Sequence, residues 1–415
     1  MTTELRVLRP ADWDLWVDKV ELAFGGVAVA PEERALWRRL THRERSLCAW
    51  DGDELVGTSG AFSFRMTVPG GSLVPTAGVT MVSVQPTHRR QGVLRSMMRR
   101  QLEDIRGWGE PLAGLTASEP AIYGRFGYGI ATHNIHMRIE THRVQLSMPS
   151  GAEGAYATDG VRLRLSKPEA ARAACEAVYA RRVATRPGML ARQPGWEESP
   201  LLDPEGGRDG ASPLQCVLAE AGGETVGYAR YAVRPAGEPA GPKGTVVLRD
   251  LEALTPAAYA ALWRFLFDIG LTSWVEARGR PVDDPLLHLV SDVRRCRVSV
   301  SDRLHLRLVD VGGALAARTY LAPVDVVFEV EDAFCPWNAG RWRLTGDAKG
   351  ASCERTRDAA DLALSVRELG SAYLGGTSLA SLGRAGRVRE AREGALAEAS
   401  VAFGSAVAPW MPHGF

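Results

Sequence analysis

The stretch from Val79 to Ile105 constrains this chain more than any other. Val79 to Val84 (Val-Thr-Met-Val-Ser-Val) is an apolar run of the length and β-branched content that predicts a buried strand. A basic loop follows, Gln85-Pro86-Thr87-His88-Arg89-Arg90-Gln91-Gly92-Val93-Leu94. Beyond it Leu94, Met97, Met98, Leu102 and Ile105 recur at helical spacing on one stripe. Strand, loop and helix in this order belong to an α/β architecture. A helix start exposes unpaired N–H groups and carries partial positive charge, and Gly92 allows close backbone approach. The loop can therefore hold a pyrophosphate. The same turn also occurs in α/β proteins that bind nothing there. The loop has neither the G-x-x-x-x-G-K-[ST] of a P-loop nor the G-x-G-x-x-G of a dinucleotide fold, so spacing alone leaves phosphate binding open.

The flanking sequence continues the alternation. Leu5 to Leu8 reads as a strand, and Pro10-Ala11-Asp12 opens a helix carrying Trp13, Trp16, Val17, Val20 and Phe24. Pro31 to Leu40 reads as a second helix. Ser46 to Trp50 and Leu55 to Phe64, joined by Asp51-Gly52, form a hairpin signal. Leu112 to Thr116 is a further strand. With 415 residues the chain is long enough for two or three domains. Lys+Arg 50 against Asp+Glu 49 leaves no basic surplus for a nucleic-acid partner. Nearly all the cations are arginines, which the bias of a GC-rich coding sequence and ordinary solvated faces explain better than phosphate recognition does. The six cysteines are scattered without a C-x-x-C pair, so neither a metal site nor a disulfide scaffold is expected. No apolar segment approaches a membrane span, and Met1 to Arg6 has no signal-peptide core. A soluble protein of a reducing, cytoplasmic compartment is expected.

From Val161 to Cys296 the strand–helix style repeats. Strands are predicted at Val161 to Leu165, Leu214 to Glu220, Thr225 to Val233 and Val246 to Leu251, with a helix at Pro168 to Val183. After Leu251, where the first copy has its arginine–glycine loop, the chain reads Glu252-Ala253-Leu254-Thr255-Pro256-Ala257-Ala258-Tyr259. The second copy therefore reads as catalytically silent. Past Ser301 the pattern changes: Leu304, Leu306 and Leu308 alternate, as do Val326, Phe328 and Val330, and helices are expected at Leu374 to Leu382 and Val388 to Phe403.

Arg89-Arg90-Gln91-Gly92-Val93-Leu94 resembles the acyl-CoA loop of the GNAT N-acetyltransferases, R/Q-x-x-G-x-G/A, with Leu94 in place of the last small residue. Val82-Ser83-Val84-Gln85-Pro86-Thr87-His88-Arg89-Arg90-Gln91-Gly92, Ala117-Ser118-Glu119 and Ile122-Tyr123-Gly124-Arg125-Phe126-Gly127-Tyr128-Gly129 together resemble the enhanced intracellular survival (Eis) acetyltransferases. Asp284-Pro285-Leu286-Leu287-His288-Leu289 and Leu369-Gly370-Ser371-Ala372-Tyr373-Leu374-Gly375 extend the likeness over most of the chain.

The resemblance implies a mixed α/β (α+β) protein of tandem GNAT folds followed by a sterol-carrier-protein-like domain. The expected divisions are 1–150 for the acetyl-CoA domain, 151–300 for the silent second copy and 301–415 for the carrier-like domain. It implies acetyl-CoA as co-substrate, a small-molecule amine as acceptor, no metal, and a homohexamer. It assigns acetyl-CoA contacts to Val82, Ser83 and Val84, to Arg90, Gln91, Gly92, Val93, Leu94 and Arg95, and to Ser118 and Glu119. Tyr123 is implied as the general acid for the departing thiolate, although without the family it would pass as a packing aromatic. The family's base is the terminal α-carboxylate, here that of Phe415. The tail Trp410-Met411-Pro412-His413-Gly414-Phe415 is more apolar than chain ends usually are, which favours docking; His413 is a rival base.

Acidic residues that would hold a polycationic aminoglycoside in this family are expected beside the terminal Phe and after the first helix. Those places hold Gly414 and the run Gly25 to Ala30, so a shift toward less charged or more aromatic amines is expected, with Trp13, Phe24 and Trp37 as candidate walls. A different class of reading makes the chain a non-catalytic acyl-CoA or lipid binder that uses an apolar tunnel in its C-terminal part. In that part, scaffolding of the enzyme competes with lipid carriage.

Overall fold

The computed structural model describes residues 3–147, 158, 160–239 and 241–415. They form two compact units, Met1–Thr132 with Arg186–Ala191 and Asp302–Phe415, and His133–Thr185 with Arg192–Ser301.

In the first unit the predicted alternation builds β1 (Glu4–Val7), α1 (Trp13–Ala23), α2 (Pro31–Leu40), β2 (Leu47–Asp51), β3 (Glu54–Thr67), β4 (Leu73–Val84), α3 (Val93–Gly107), β5 (Leu112–Thr116), α4 (Pro120–Tyr123) and β6 (Gly129–Ile130). Strands β1 to β5 lie side by side in chain order, antiparallel up to β4 and parallel from β4 to β5. On the α3 stripe Met98, Leu102 and Ile105 are completely buried against residues such as Ala77, Val79 and Leu115, and Met97 against Ala49 and Val56. Four fully buried side chains of this size contribute roughly 1.5–3 kcal/mol each.

The alternation Leu304, Leu306, Leu308 is a strand, Leu304–Leu308, but it belongs to the first sheet. It pairs antiparallel with β5 (Leu304↔Thr116 to Leu308↔Leu112) and on its other side with β6. All five of its residues are buried, as an inserted central strand requires. Parts of 1–150 and of 301–415 therefore share one compact unit, and the division at 300 lies one residue before the second unit ends at Ser301. His133–Glu140 already lies in the second unit's sheet, and the division at 150 falls outside the described residues.

The rest of the first unit is a five-stranded sheet in the order Ala351–Arg355, Gly340–Gly346, Val324–Glu331, Leu362–Ser365 and Val388–Glu390. The expected helix at Leu374 to Leu382 is replaced by two, Val366–Ala372 and Leu379–Arg384. Gly375 between them takes a φ of +84°, and a side chain there would strike Ser405 at 2.7 Å, so the chain turns rather than continues. Val388 to Glu390 is a strand, and the last helix starts only at Ala395, behind Gly394 with φ +85°.

Arg318 is 1 % exposed, and its guanidinium donates to the carbonyls of Tyr373 and Phe403 while lying 4.6 Å from the ring of Tyr320 and 4.9 Å from that of Phe403. A buried cation held by carbonyls and ring faces puts charge in an interior that a lipid tunnel would need to keep apolar. The lipid-binder reading is not favoured.

The second unit has a sheet in the order Ser299–Asp302, His133–Glu140, Thr272–Pro281, Gly244–Ala253, Glu224–Arg234, Gln215–Ala221 and Arg162–Ser166. The helix Pro256–Phe267 joins its parallel pair, as α3 joins β4 and β5, and buries Leu262, Trp263 and Leu266.

Candidate active site

The parallel ladder between β4 and β5 runs only from Thr76↔Leu112 to Gly78↔Gly114. Beyond Gly78 the two strands part. On β4 the divergence coincides with a bulge: the register to β3 shifts between Thr58↔Ser83 and Gly60↔Thr80, and Met81 takes φ +51°. The Ser83 hydroxyl turns inward to Thr58 Oγ1 at 2.7 Å, so this residue offers the opening its main chain rather than its side chain.

The opening is the mouth of a cavity of about 790 Å³. Its lining takes in Val82, Ser83 and Val84 on one side, Arg90, Gly92, Val93, Leu94 and Arg95 at one end, and Ser118, Glu119 and Tyr123 on the other side. Phe415 lines it too. Gln91 does not: its side-chain amide donates back to the Thr87 carbonyl at 3.0 Å and braces the loop.

At the loop end Arg90 and Gly92 both have left-handed backbone, φ +64° and +87°. No side chain caps α3, and a methyl group on Gly92 would meet nothing within 4 Å. The first-turn N–H groups of α3 therefore face open space beside Arg89, Arg90 and Arg95, all exposed and none ion-paired among the described residues. An uncapped helix start beside exposed arginines is an arrangement that can hold phosphate groups. At the equivalent turn of the second unit, Thr255 Oγ1 accepts from Ala258 N at 3.2 Å and caps the helix with its own side chain.

Tyr123 ends α4, held by the Tyr128 N–H donating to its carbonyl at 3.3 Å. Its ring meets that of Tyr128 edge-on at 6.0 Å. Burial pushes the Tyr123 phenol up from its ordinary value, and Glu119 pushes it further in the same direction. It is therefore a phenol in its protonated form through the neutral range.

The tail reaches the cavity along a fixed path. Trp410 and Met411 are buried, the Trp410 N–H donates to Pro187 O at 2.8 Å, and Arg186 Nη1 donates to Ala408 O at 2.7 Å. The Phe415 ring rests on Phe64 at 5.1 Å, and the contact chain continues through Phe62 (5.9 Å) to Trp37 (6.2 Å). His413 is not among the lining residues. Of the three candidate aromatic walls only Phe24 lines the cavity; Trp13 is buried in the core under Arg38, and Trp37 backs Phe62. Glu119 is the one carboxylate side chain among the lining residues described.

Comparison with known proteins agrees with this geometry. Residues 4–131 and 188–308 match models of the acetyltransferase (GNAT) domain, and 311–412 match the sterol carrier protein domain. An N-acetyltransferase Eis of Mycobacterium tuberculosis is 34% identical over 398 residues, covering 91% of each chain. The chain belongs to the Eis family of N-acetyltransferases. An uncharacterized N-acetyltransferase from Streptomyces avermitilis is 69% identical over the full length of both chains. The crystal structure of Eis1 from Mycobacterium abscessus superposes with a TM-score of 0.82 at 35% identity, covering all of both chains. The Eis-family architecture, two GNAT domains and a sterol-carrier-like domain, is thus that of this acyltransferase, and acetyl-CoA is the co-substrate of its class. Among the described residues no helix is long and apolar enough to cross a membrane.

Proposed function

We propose that the chain transfers the acetyl group of acetyl-CoA directly to an amine in the cavity between β4 and β5, with Tyr123 as general acid and the Phe415 α-carboxylate as general base. The observation that supports this is one cavity lined at once by the uncapped start of α3, by Tyr123 and by the last residue of the chain. Pyrophosphate would lie on the Gly92–Arg95 turn beside Arg90, and the pantetheine arm along the unpaired edge of Val82–Val84.

The amine nitrogen attacks the thioester carbon and the C–S bond breaks. The proton leaving the nitrogen passes, through a water, to the Phe415 carboxylate, which is ionised at neutral pH with an ordinary value of about 3.5. The phenolic proton of Tyr123 goes to the sulfur. The second GNAT domain is silent in this reading because its helix start is closed by Thr255 and carries no arginine loop.

With a single carboxylate side chain on its wall and Phe24, Phe64 and Phe415 near its acceptor end, the cavity suits small or aromatic amines better than an aminoglycoside-type polycation. Each missing charge-assisted contact weakens a polycation by roughly 1.5–3 kcal/mol. A homohexamer and a cytoplasmic location, as in the family pattern, belong to the same proposal, and light scattering tests the first. Thiol release from acetyl-CoA across aromatic amines, polyamines and aminoglycosides tests the activity; absence of turnover with every one of them ends the proposal.

A further inference from the structure

Arg125 and Phe126 stand in the motif Ile122-Tyr123-Gly124-Arg125-Phe126-Gly127 directly after the proposed general acid, and the reaction gives neither a task. Both line the cavity, and so does Phe334, which comes from the sterol-carrier-like region. The three side chains are joined. The Arg125 guanidinium carbon lies 5.1 Å from the centroid of the Phe126 ring, and Phe126 meets Phe334 edge-on at 5.0 Å. Phe126 and Phe334 are 3 % and 7 % exposed, so the ring pair is a fixed base, whereas Arg125, lying on it, is exposed.

The loop that delivers Phe334 is anchored. The Cys335 N–H donates to Asp332 Oδ1 at 2.9 Å, Trp337 Nε1 donates to Val309 O at 2.9 Å, and Asn338 Nδ2 donates to Leu308 O at 3.2 Å. Phe334 also carries the guanidinium of Arg99 at 4.7 Å, and Arg99 lies one helical turn, about 5.4 Å, beyond Arg95 in α3. The ring pair therefore bridges α3 and the segment that follows α4.

The charges on the wall exceed what a pyrophosphate needs. Arg89, Arg90, Arg95 and Arg125 all line the cavity without an ion pair among the described residues, against Glu119 as the one carboxylate side chain. CoA carries, besides its pyrophosphate, a monoester on the ribose 3′ oxygen, with about two negative charges at pH 7. The α3 turn with Arg90 and Arg95 serves the pyrophosphate, and Arg125, on a different element, is left for the other phosphate. A ring face holds a guanidinium without using up its N–H donors, as a carboxylate partner would.

We propose that Arg125, seated on Phe126 and braced by Phe334, binds the 3′-phosphate of CoA, so that the sterol-carrier-like region takes part in recognising the co-substrate. This rests on the acetyltransferase reading above. The planar fork of arginine matches two phosphate oxygens. Phe334 is a positioning residue, acting through Phe126 and Arg125.

Calorimetric titration of the full-length protein with CoA and with dephospho-CoA, which lacks only the 3′-phosphate, tests this without any turnover. The wild type is expected to bind CoA about 10-fold more tightly at low ionic strength, the fold-change of one charge-assisted contact. Arg125→Met should bring that ratio below about two-fold and leave the Kd for dephospho-CoA nearly unchanged. Phe334→Leu should lower the ratio part of the way in the wild-type background and leave it unaltered in the Arg125→Met background, the pattern of a residue that works through Arg125. A ratio that survives Arg125→Met overturns the proposal. So does an equal weakening of both nucleotides in Arg125→Met, which assigns Arg125 to the pyrophosphate instead. Equal weakening of both in Phe334→Leu overturns the part given to Phe334. If the wild type binds the two nucleotides equally, the 3′-phosphate site alone fails; if it binds neither, the acetyltransferase reading fails and takes this site with it.

Discussion

Adding one glycine after Phe415 separates the chemistry of the terminal carboxylate from the docking of the tail. The addition turns the carboxylate into an amide and moves the new chain end about 3.8 Å along the backbone. The anchors stay untouched, because the Arg186–Ala408 and Trp410–Pro187 hydrogen bonds and the burial of Trp410 and Met411 all lie four or more residues before the addition. Burying those two side chains holds the tail with roughly 3–6 kcal/mol in all. The extended chain is therefore expected to keep its Tm and its KM for acetyl-CoA. Loss of a general base lowers kcat by about 10²- to 10⁴-fold, equivalent to roughly 2.7–5.4 kcal/mol of barrier. Stopped-flow or plate-based detection of released CoA thiol, run beside thermal unfolding, measures both quantities. Trp410→Ala is the contrasting control: it should lower stability by about 3–5 kcal/mol as well as kcat. A glycine-extended enzyme that retains kcat within about three-fold would refute the assignment of the base.

Tyr123→Phe should lower kcat by about 10²-fold or more with little change in Tm. Because burial and Glu119 raise the phenol above its ordinary value of 10.0, any alkaline limb due to it lies above that pH, and a limb between pH 7 and 9 that vanishes in Tyr123→Phe would contradict the assignment. Gly92→Ala meets no atom, so its cost comes from the φ of +87°, about 1–2 kcal/mol. It should appear as a raised KM for acetyl-CoA in initial-rate assays. Asp332→Ala strips the partner from Arg307, which is 0 % exposed and already has Nε and Nη1 unsatisfied; a loss of about 3–5 kcal/mol in urea unfolding is expected.

The features that the sequence made legible are local ones. The stripe Leu94, Met97, Met98, Leu102, Ile105 and the glycine before it mark α3 and its loop, because helical period and a left-handed glycine are written in neighbouring residues. The place of Leu304–Leu308 was not legible. Its alternation announces a strand, yet nothing in five residues says that the partner is β5, nearly two hundred positions earlier. The break at Gly375 is written in Gly375-Gly376-Thr377-Ser378, a turn composition bridged only by the apolar Leu374, Leu379 and Leu382 on either side of it, and Val388–Glu390 is too short for a period to declare itself.

The strand Leu304–Leu308 also limits how this gene can be cut. A fragment ending near Ala131, where the first acetyltransferase match stops, would retain α3 and its loop but leave the outer edge of β5 bare. An unpaired, largely apolar strand edge recruits other chains, so such a fragment is expected to form inclusion bodies rather than a miniature enzyme. The sequence that closes that edge lies beyond the whole second unit. Removal of that unit as a modular cassette would have to preserve it, and transplantation of the catalytic region into another protein would have to carry two separate stretches of chain.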